Sequence, residues 1–292
     1  MTSPGGEQPV VAVVTGASRS AGRGIAVALG CHGCTVYVTG RTERPGESAL
    51  SGTIHETAEA VSAVGGTGVA VRVDHADDDQ VRALFARVSR EQGRLDILVN
   101  NACALHEEQS GPRGFWEKPL EVADMLDVGL RSGYVATHLA ARLMVPRRGG
   151  LVVFTSASGA VHYVFHPAYG AQKAGVDKLA ADMAVDFEPY GVASVSVWMG
   201  PLRTERMLQR ISSEPERFDG AAETLETTEY TGHLIWALYR DPAVMELSGQ
   251  TLIGAELGLR YGITDQDGRQ PPSYRDTFGV APRVQYPTPV IR

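Results

Sequence analysis

The chain has 292 residues, 43% hydrophobic and 21% charged, with 34 acidic against 27 basic side chains and a net charge of −7. That is enough apolar content for a full core and too ordinary a charge content for wholesale disorder. The acidic balance repels phosphate backbones and anionic surfaces, which argues against nucleic acid as a partner, and no apolar run approaches the ~20 residues of a membrane span. Residues 1–9 carry neither a basic start nor an apolar stretch, so they do not read as a secretory signal. Three cysteines cannot form a disulfide framework and fit a reducing cytoplasm.

In chain order, apolar β-branched runs alternate with helical patterns. Residues 10–14 read as a buried strand, 24–29 as helix, 34–38 as a second strand, 53–64 as helix and 68–73 as a third strand. Val81, Leu84, Phe85 and Val88 fall at i, i+3, i+4, i+7, one stripe of a helix, with Asp77, Asp78 and Asp79 at its positive end. A fourth strand at 95–99 precedes a long helical stretch between Leu120 and Met144. A fifth strand at 151–154 leads to a helix from about 168 to 188, closed by Pro189. The sixth strand is 193–198, residues 202–228 read as an irregular, partly helical lid, a last helix covers 231–239, and a short seventh strand covers 251–253. This alternation predicts an α/β, Rossmann-like, doubly wound parallel sheet of about seven strands in one domain, residues 1–262. The pattern stops after Tyr261, and Pro271, Pro272, Pro282, Pro287 and Pro289 mark residues 263–292 as an extended arm.

The first strand runs into Thr15-Gly-Ala-Ser-Arg-Ser-Ala-Gly-Arg-Gly24 and then a helix. At that place in a doubly wound fold, backbone N–H groups and the positive helix end face a dinucleotide's pyrophosphate. Gly16 allows the sharp turn and Gly22 the close packing of helix on strand; Ser18, Arg19, Ser20 and Ala21 complete the cradle. The spacing resembles the TGxxxGxG loop of the short-chain dehydrogenase/reductase family, with Ser20 at the place of the middle Gly. An NAD site carries an acid about 20 residues past the loop, at the end of the second strand. Here that place reads Val38-Thr-Gly-Arg41, and Arg41 with Arg19 can pair with a 2′-phosphate, so the expected cofactor is NADP(H). The resemblance assigns Asp74, followed by His75 at the end of the third strand, to the adenine amino group.

Tyr169-Gly-Ala-Gln-Lys173 puts a phenol and an ammonium on one helix face, and the ammonium should lower the phenol's pKa and ready it for proton exchange. Ser156 lies thirteen residues before Tyr169, the Ser-to-Tyr interval of the resembled family, which gives Ser156 the task of orienting the substrate. Asn100-Asn101-Ala102-Cys103 resembles the family's NNAG, with Cys103 for Gly. Residues 198–204 resemble its PGxxxT segment, which assigns Gly200, Leu202 and Thr204 to the nicotinamide end. The family's catalytic Asn falls at Gly129, in Val128-Gly-Leu-Arg131. That segment, residues 141–146 and residues 259–262 resemble the dehydrogenase/reductase member 1 subgroup; the likeness spans residues 8 to 262. It implies a carbonyl reductase: a small-molecule ketone, aldehyde or alcohol as substrate, Tyr169 as general acid, Ser156 and Lys173 beside it, and no metal. The family's helix pairing, with Leu126, Leu139, Leu143, Val176, Leu179 and Met183 here, implies a homodimer or homotetramer.

The rival readings are a non-redox relative, such as a dehydratase or epimerase, and a cofactor-sensing regulator without turnover. Cys31-His-Gly-Cys34 lacks a second ligand pair and lies away from the expected site. His162, Tyr163, Phe165 and His166 are expected to line the substrate pocket, together with residues 104–115 and 203–218.

Overall fold

The computed structural model describes residues 8–218 and 224–291. Seven parallel strands form one sheet in the order β3-β2-β1-β4-β5-β6-β7. They are β1 (Val11–Val14), β2 (Thr35–Gly40), β3 (Thr67–Arg72), β4 (Ile97–Asn100), β5 (Gly150–Ser156), β6 (Val192–Trp198) and β7 (Thr251–Ile253). The helices are α1 (Ser20–Cys31), α2 (Ile54–Ala63), α3 (Asp78–Gln92), α4 (Ser132–Met144), α5 (Pro167–Phe187), α6 (Glu205–Ser213), α7 (Tyr230–Arg240), α8 (Gly254–Tyr261) and α9 (Tyr274–Thr277). Among the described residues no helix is long and apolar enough to cross a membrane.

The strands are continuous apolar runs because both faces are covered. Ala12 and Val14 of β1 pack with Ile25, Leu29, Leu234 and Leu238 of α1 and α7. Val11 and Val13 point the other way, into a cluster with Leu84, Phe85, Leu139 and Val176 of α3, α4 and α5. Local chemistry sets the helix ends. Thr53 and Glu56 form a reciprocal capping box at the start of α2, and Asp77 accepts the Asp79 and Gln80 N–H groups at the start of α3. The chain leaves β1 toward β2 and enters β4 from β3, so the order reverses between β1 and β4 and opens a crevice above their carboxyl ends.

Three expectations need correction. The stretch between Leu120 and Met144 is not one helix: a 3₁₀ segment, Leu120–Leu126, is separated from α4 by a break at Val128 and Gly129. Gly129 has φ +147°, a conformation L side chains rarely adopt, and its N–H donates to Ser132 Oγ at 3.0 Å. The helix α8, right after β7, was not foreseen, because its eight residues merge with the apolar end of the strand. The segment after Tyr261 is extended only in its second half; its first half carries α9 and buries Tyr274 against Trp198, Ile253 and Ala255. Within the expected lid, 202–228, α6 is helical, and residues 219–223 lie outside the described part.

Candidate active site

The glycine loop is locked to the exit of β4. Thr15 Oγ1 accepts the N–H groups of Asn101 and Ala102, both at 2.9 Å, while the Asn101 amide donates to Thr15 O at 2.9 Å and Gly16 O at 3.1 Å. Gly16 has φ +64°, and a Cβ there would stand 2.7 Å from Ala102 Cα; a Cβ on Gly22 would meet Gly16 O at 2.3 Å. The side chain of Asn101 thus shapes the loop instead of facing the cleft. Arg19 at the N-cap makes no side-chain cap, and no acid occupies the first turn of α1, which keeps that positive end suited to an anion. Ser20 adopts φ +50°, a left-handed conformation that costs a non-glycine residue about 1–2 kcal/mol. Its hydroxyl donates to Glu205 Oε2 at 2.7 Å, tying the loop to α6. Ser18 is buried, with its carbonyl accepting from Thr57 Oγ1 at 3.4 Å.

At the end of β2 the Arg19 guanidinium is held by Ser51 O (2.9 Å), Thr42 Oγ1 (3.0 Å) and Gly52 O (2.8 Å). Burial lowers its pKa, Glu205 opposes this, and the nearby positive charge of Arg41 adds to it. Arg41 is exposed and stands 3.9 Å from Asp74 Oδ2, and Asp74 Oδ1 accepts the Ala76 N–H at 3.0 Å. The His75 side chain turns into the core. Its ring is buried, Nε2 lies 2.8 Å from Thr39 Oγ1, and Nδ1 has no hydrogen-bond partner. Burial pushes its pKa down to about 4, so the imidazole is a neutral core group, and only its backbone is available to a ligand.

Tyr169 and Lys173 share the face of α5 that meets the end of β5. Lys173 Nζ is 5.6 Å from the Tyr169 ring centroid and donates to Thr155 O at 3.2 Å. The Phe165 ring meets Tyr169 edge-on at 5.0 Å, and a Cβ on Gly159 would stand 2.6 Å from the Tyr169 ring. Burial pushes the Tyr169 phenol above its ordinary range, with Tyr274 and Cys103 adding to the effect, and burial lowers Lys173. The expected lowering of the phenol by the ammonium is therefore outweighed by desolvation. Tyr169 stays protonated at neutral pH, the form that can donate.

Ser156 is fully buried, and its hydroxyl donates to Lys173 O at 3.4 Å, toward the helix backbone. It lies beside Asp177, whose carboxylate accepts Ser196 Oγ at 2.6 Å and Trp198 Nε1 at 2.9 Å. Ser158, two residues on, is 2.9 Å from His162 Nε2. At the place of the family's Asn, a Cβ on Gly129 would meet Cys103 Sγ at 3.3 Å and Gln172 Cγ at 3.2 Å. Cys103, where the family pattern has Gly, thus fills the space above Gly129.

Beyond β6, Gly200 N–H donates to Glu226 Oε2 at 2.9 Å, Leu202 bridges Glu226, and Thr204 Oγ1 caps α6 by accepting the Met207 N–H at 3.2 Å. A Cβ on Gly200 would stand 2.3 Å from the Glu226 carboxylate. Glu226 was not foreseen; a single acid in an irregular stretch gives no signal. Cys31 and Cys34 are free thiols, and no cluster of metal-ligating side chains occurs among the described residues. The structure thus brings Tyr169, Lys173, the glycine loop, Asn101, Ala102, Arg41, Asp74, Gly200, Leu202 and Thr204 to the carboxyl edge of the sheet. The Ser156 hydroxyl is bonded to the α5 backbone and the His75 ring to Thr39. The close loop packing and the N–H groups at the start of α1, beside which Glu205 is bonded to Ser20, fit a dinucleotide.

Burial pushes Glu226 up to about 7; the Gly200 N–H and Arg269 oppose this, and Asp265 adds to it. An acid with a raised folded pKa destabilises the fold as pH rises from the ordinary carboxylate range through about 7. Glu226→Gln should therefore raise the melting temperature at pH 8, by about 2–4 °C per kcal/mol recovered, and leave it unchanged at pH 5. Calorimetry at both pH values checks this.

The profile of the short chain dehydrogenases matches residues 10–215. The chain is 41% identical over 285 residues to dehydrogenase/reductase SDR family member 1 of Homo sapiens, covering 94% of this chain and 88% of that protein. It is 31% identical over 210 residues to L-rhamnose 1-dehydrogenase (NAD(P)(+)) of Azotobacter vinelandii, covering 70% of this chain and 78% of the other. A short-chain dehydrogenase/reductase variant of Serratia marcescens superposes with TM-score 0.70 at 28% identity, covering 84% of this chain and 96% of that one. The chain belongs to the short-chain dehydrogenase/reductase family and, within it, to the dehydrogenase/reductase member 1 subgroup, and is an oxidoreductase using a nicotinamide cofactor.

Proposed function

We propose that this oxidoreductase interconverts a small-molecule ketone or aldehyde with the corresponding alcohol, using NADP(H), with Tyr169 as general acid. The observation that carries this reading is the half-buried, protonated Tyr169 one turn from Lys173 at the mouth of the crevice. A nicotinamide cofactor held here supplies the hydride. Tyr169 gives its proton to the carbonyl oxygen as that oxygen gains charge, and takes it back from the alcohol in reverse. The Lys173 ammonium binds the ribose hydroxyls and favours the phenolate as it forms. Ser156 orients the substrate once its hydroxyl turns from the Lys173 carbonyl. Gly16, Ser18, Ala21 and Gly22 approach the pyrophosphate, Asp74 the adenine, and Gly200, Leu202 and Thr204 the carboxamide.

Tyr169→Phe removes only the donor. Turnover should fall by ~10²–10⁴-fold, the usual worth of general acid catalysis, while the Kd for NADPH stays the same. Unchanged kcat overturns the assignment.

The cofactor preference rests on Arg41, exposed beside Arg19 where an NAD enzyme carries an acid. Arg41→Ala should weaken NADPH by about 10- to 100-fold, the worth of hydrogen bonds to a charged group, and leave NADH nearly unchanged. Equal weakening of both, or a wild-type preference for NADH, overturns it.

We further propose a cytoplasmic homodimer or homotetramer joined through α4 and α5. Leu139 and Val176 serve the chain's own core, so the support comes from exposed Leu126 and Tyr134 and half-buried Leu143, Leu179 and Met183. Light scattering should give a multiple of 31.2 kDa; a concentration-independent monomer overturns it.

A further inference from the structure

Tyr274 lies outside the span matched by the family profile, on α9 after the last strand. It is nonetheless buried, and its ring packs with Trp198, Ile253 and Ala160. Filling that space needs only a ring, and burying a hydroxyl is unfavourable unless it is partnered. The Tyr274 hydroxyl donates to Met199 O at 2.9 Å, the carbonyl just before Gly200. Met199 is held in turn by its N–H on Ser156 O at 3.1 Å. The phenol therefore sits where β5 ends and the nicotinamide segment begins. Ala160, on which the Tyr274 ring packs, is the neighbour of Gly159, against which the Tyr169 ring rests. Tyr274 is close enough to Tyr169 to push its pKa up beyond the effect of burial.

We propose that Tyr274 is a substrate-holding residue, its phenol giving the reacting oxygen a hydrogen bond in addition to those of Tyr169 and Ser156. The inference rests on the carbonyl–alcohol reading above. The Tyr274 O–H turns about its C–O bond from Met199 O to the substrate oxygen and keeps its proton; the transferred proton is that of Tyr169. Phe165 lies edge-on to Tyr169, and Phe278 stacks on Tyr274 at 5.8 Å. These surroundings fit a flat, uncharged aryl ketone or quinone better than a sugar or a keto acid.

The test uses the full chain with NADPH and phenanthrenequinone, comparing wild type, Tyr274→Phe and Tyr169→Phe. Tyr274→Phe keeps the ring and should lower kcat/KM by about 10- to 100-fold, as for a hydrogen bond to an oxygen gaining charge. Its NADPH Kd and melting temperature should equal those of the wild type. If Tyr274→Phe matches wild-type kcat/KM while Tyr169→Phe is inactive, this inference alone is overturned. A loss of NADPH affinity or melting temperature that accompanies the loss of activity also overturns it, by making Tyr274 a structural residue. A wild type that does not reduce the quinone overturns the aryl-substrate inference, and an active Tyr169→Phe overturns the general-acid reading and this inference with it.

Discussion

The site depends on how closely two turns can approach each other. The chain reverses its winding between β1 and β4, so the turn after β1 and the turn after β4 meet over the crevice. They touch through Gly16 and Ala102, and four hydrogen bonds between Thr15, Gly16, Asn101 and Ala102 hold them there. Any side chain at Gly16 separates the turns, and any separation moves the start of α1 away from where an anion must lie. The cofactor end of the site is thus an outcome of packing between backbones. The polar side chains Thr15 and Asn101 are used to satisfy backbone groups that the tight turn leaves without ladder partners.

The catalytic end follows a different rule, in which desolvation outweighs pairing. Lys173, Asp177 and Glu226 are buried and Tyr169 is half-buried, and in each case desolvation is the leading influence on the proton. Ser196 and Trp198 donate to the buried Asp177 carboxylate. Ser156 lies beside it and spends its one proton on the Lys173 carbonyl, so its hydroxyl faces the helix.

Much of this was legible in the sequence because it depends on period and spacing. The seven strands show as apolar runs, the glycine loop as a string placed after the first of them, and Tyr169 with Lys173 as a pair four apart on a helix. What was not legible depends on direction and on long-range contact. Ser156 ends β5 and Ser158 opens the 3₁₀ turn after it, and spacing alone does not say which partners their hydroxyls take. His75 follows Asp74, yet the alternation of the strand end turns its ring inward to Thr39. The break at Gly129 was visible only as a substitution, since a helix-compatible stripe continues on both sides. Glu226 comes from an irregular segment held by Asp265 on Thr227 and by Arg269 on Leu225 O, and Tyr274 from a four-residue helix placed by its contacts with Met199 O and Trp198, contacts with no local sequence signature.

The pair formed by Gly129 and Cys103 bears on how this lineage could change. The family pattern has a large polar residue at the first position and glycine at the second; here the bulk has moved across the gap. Restoring Asn at 129 alone would force a side chain onto a backbone at φ +147° and against Cys103 Sγ and Gln172. Returning Cys103 to Gly alone would leave the space above Gly129 hollow beside Lys173. Either change alone leaves the contact between the break at Gly129 and the turn after β4 overfilled or underfilled, so a substitution at one of the two positions calls for its steric complement at the other.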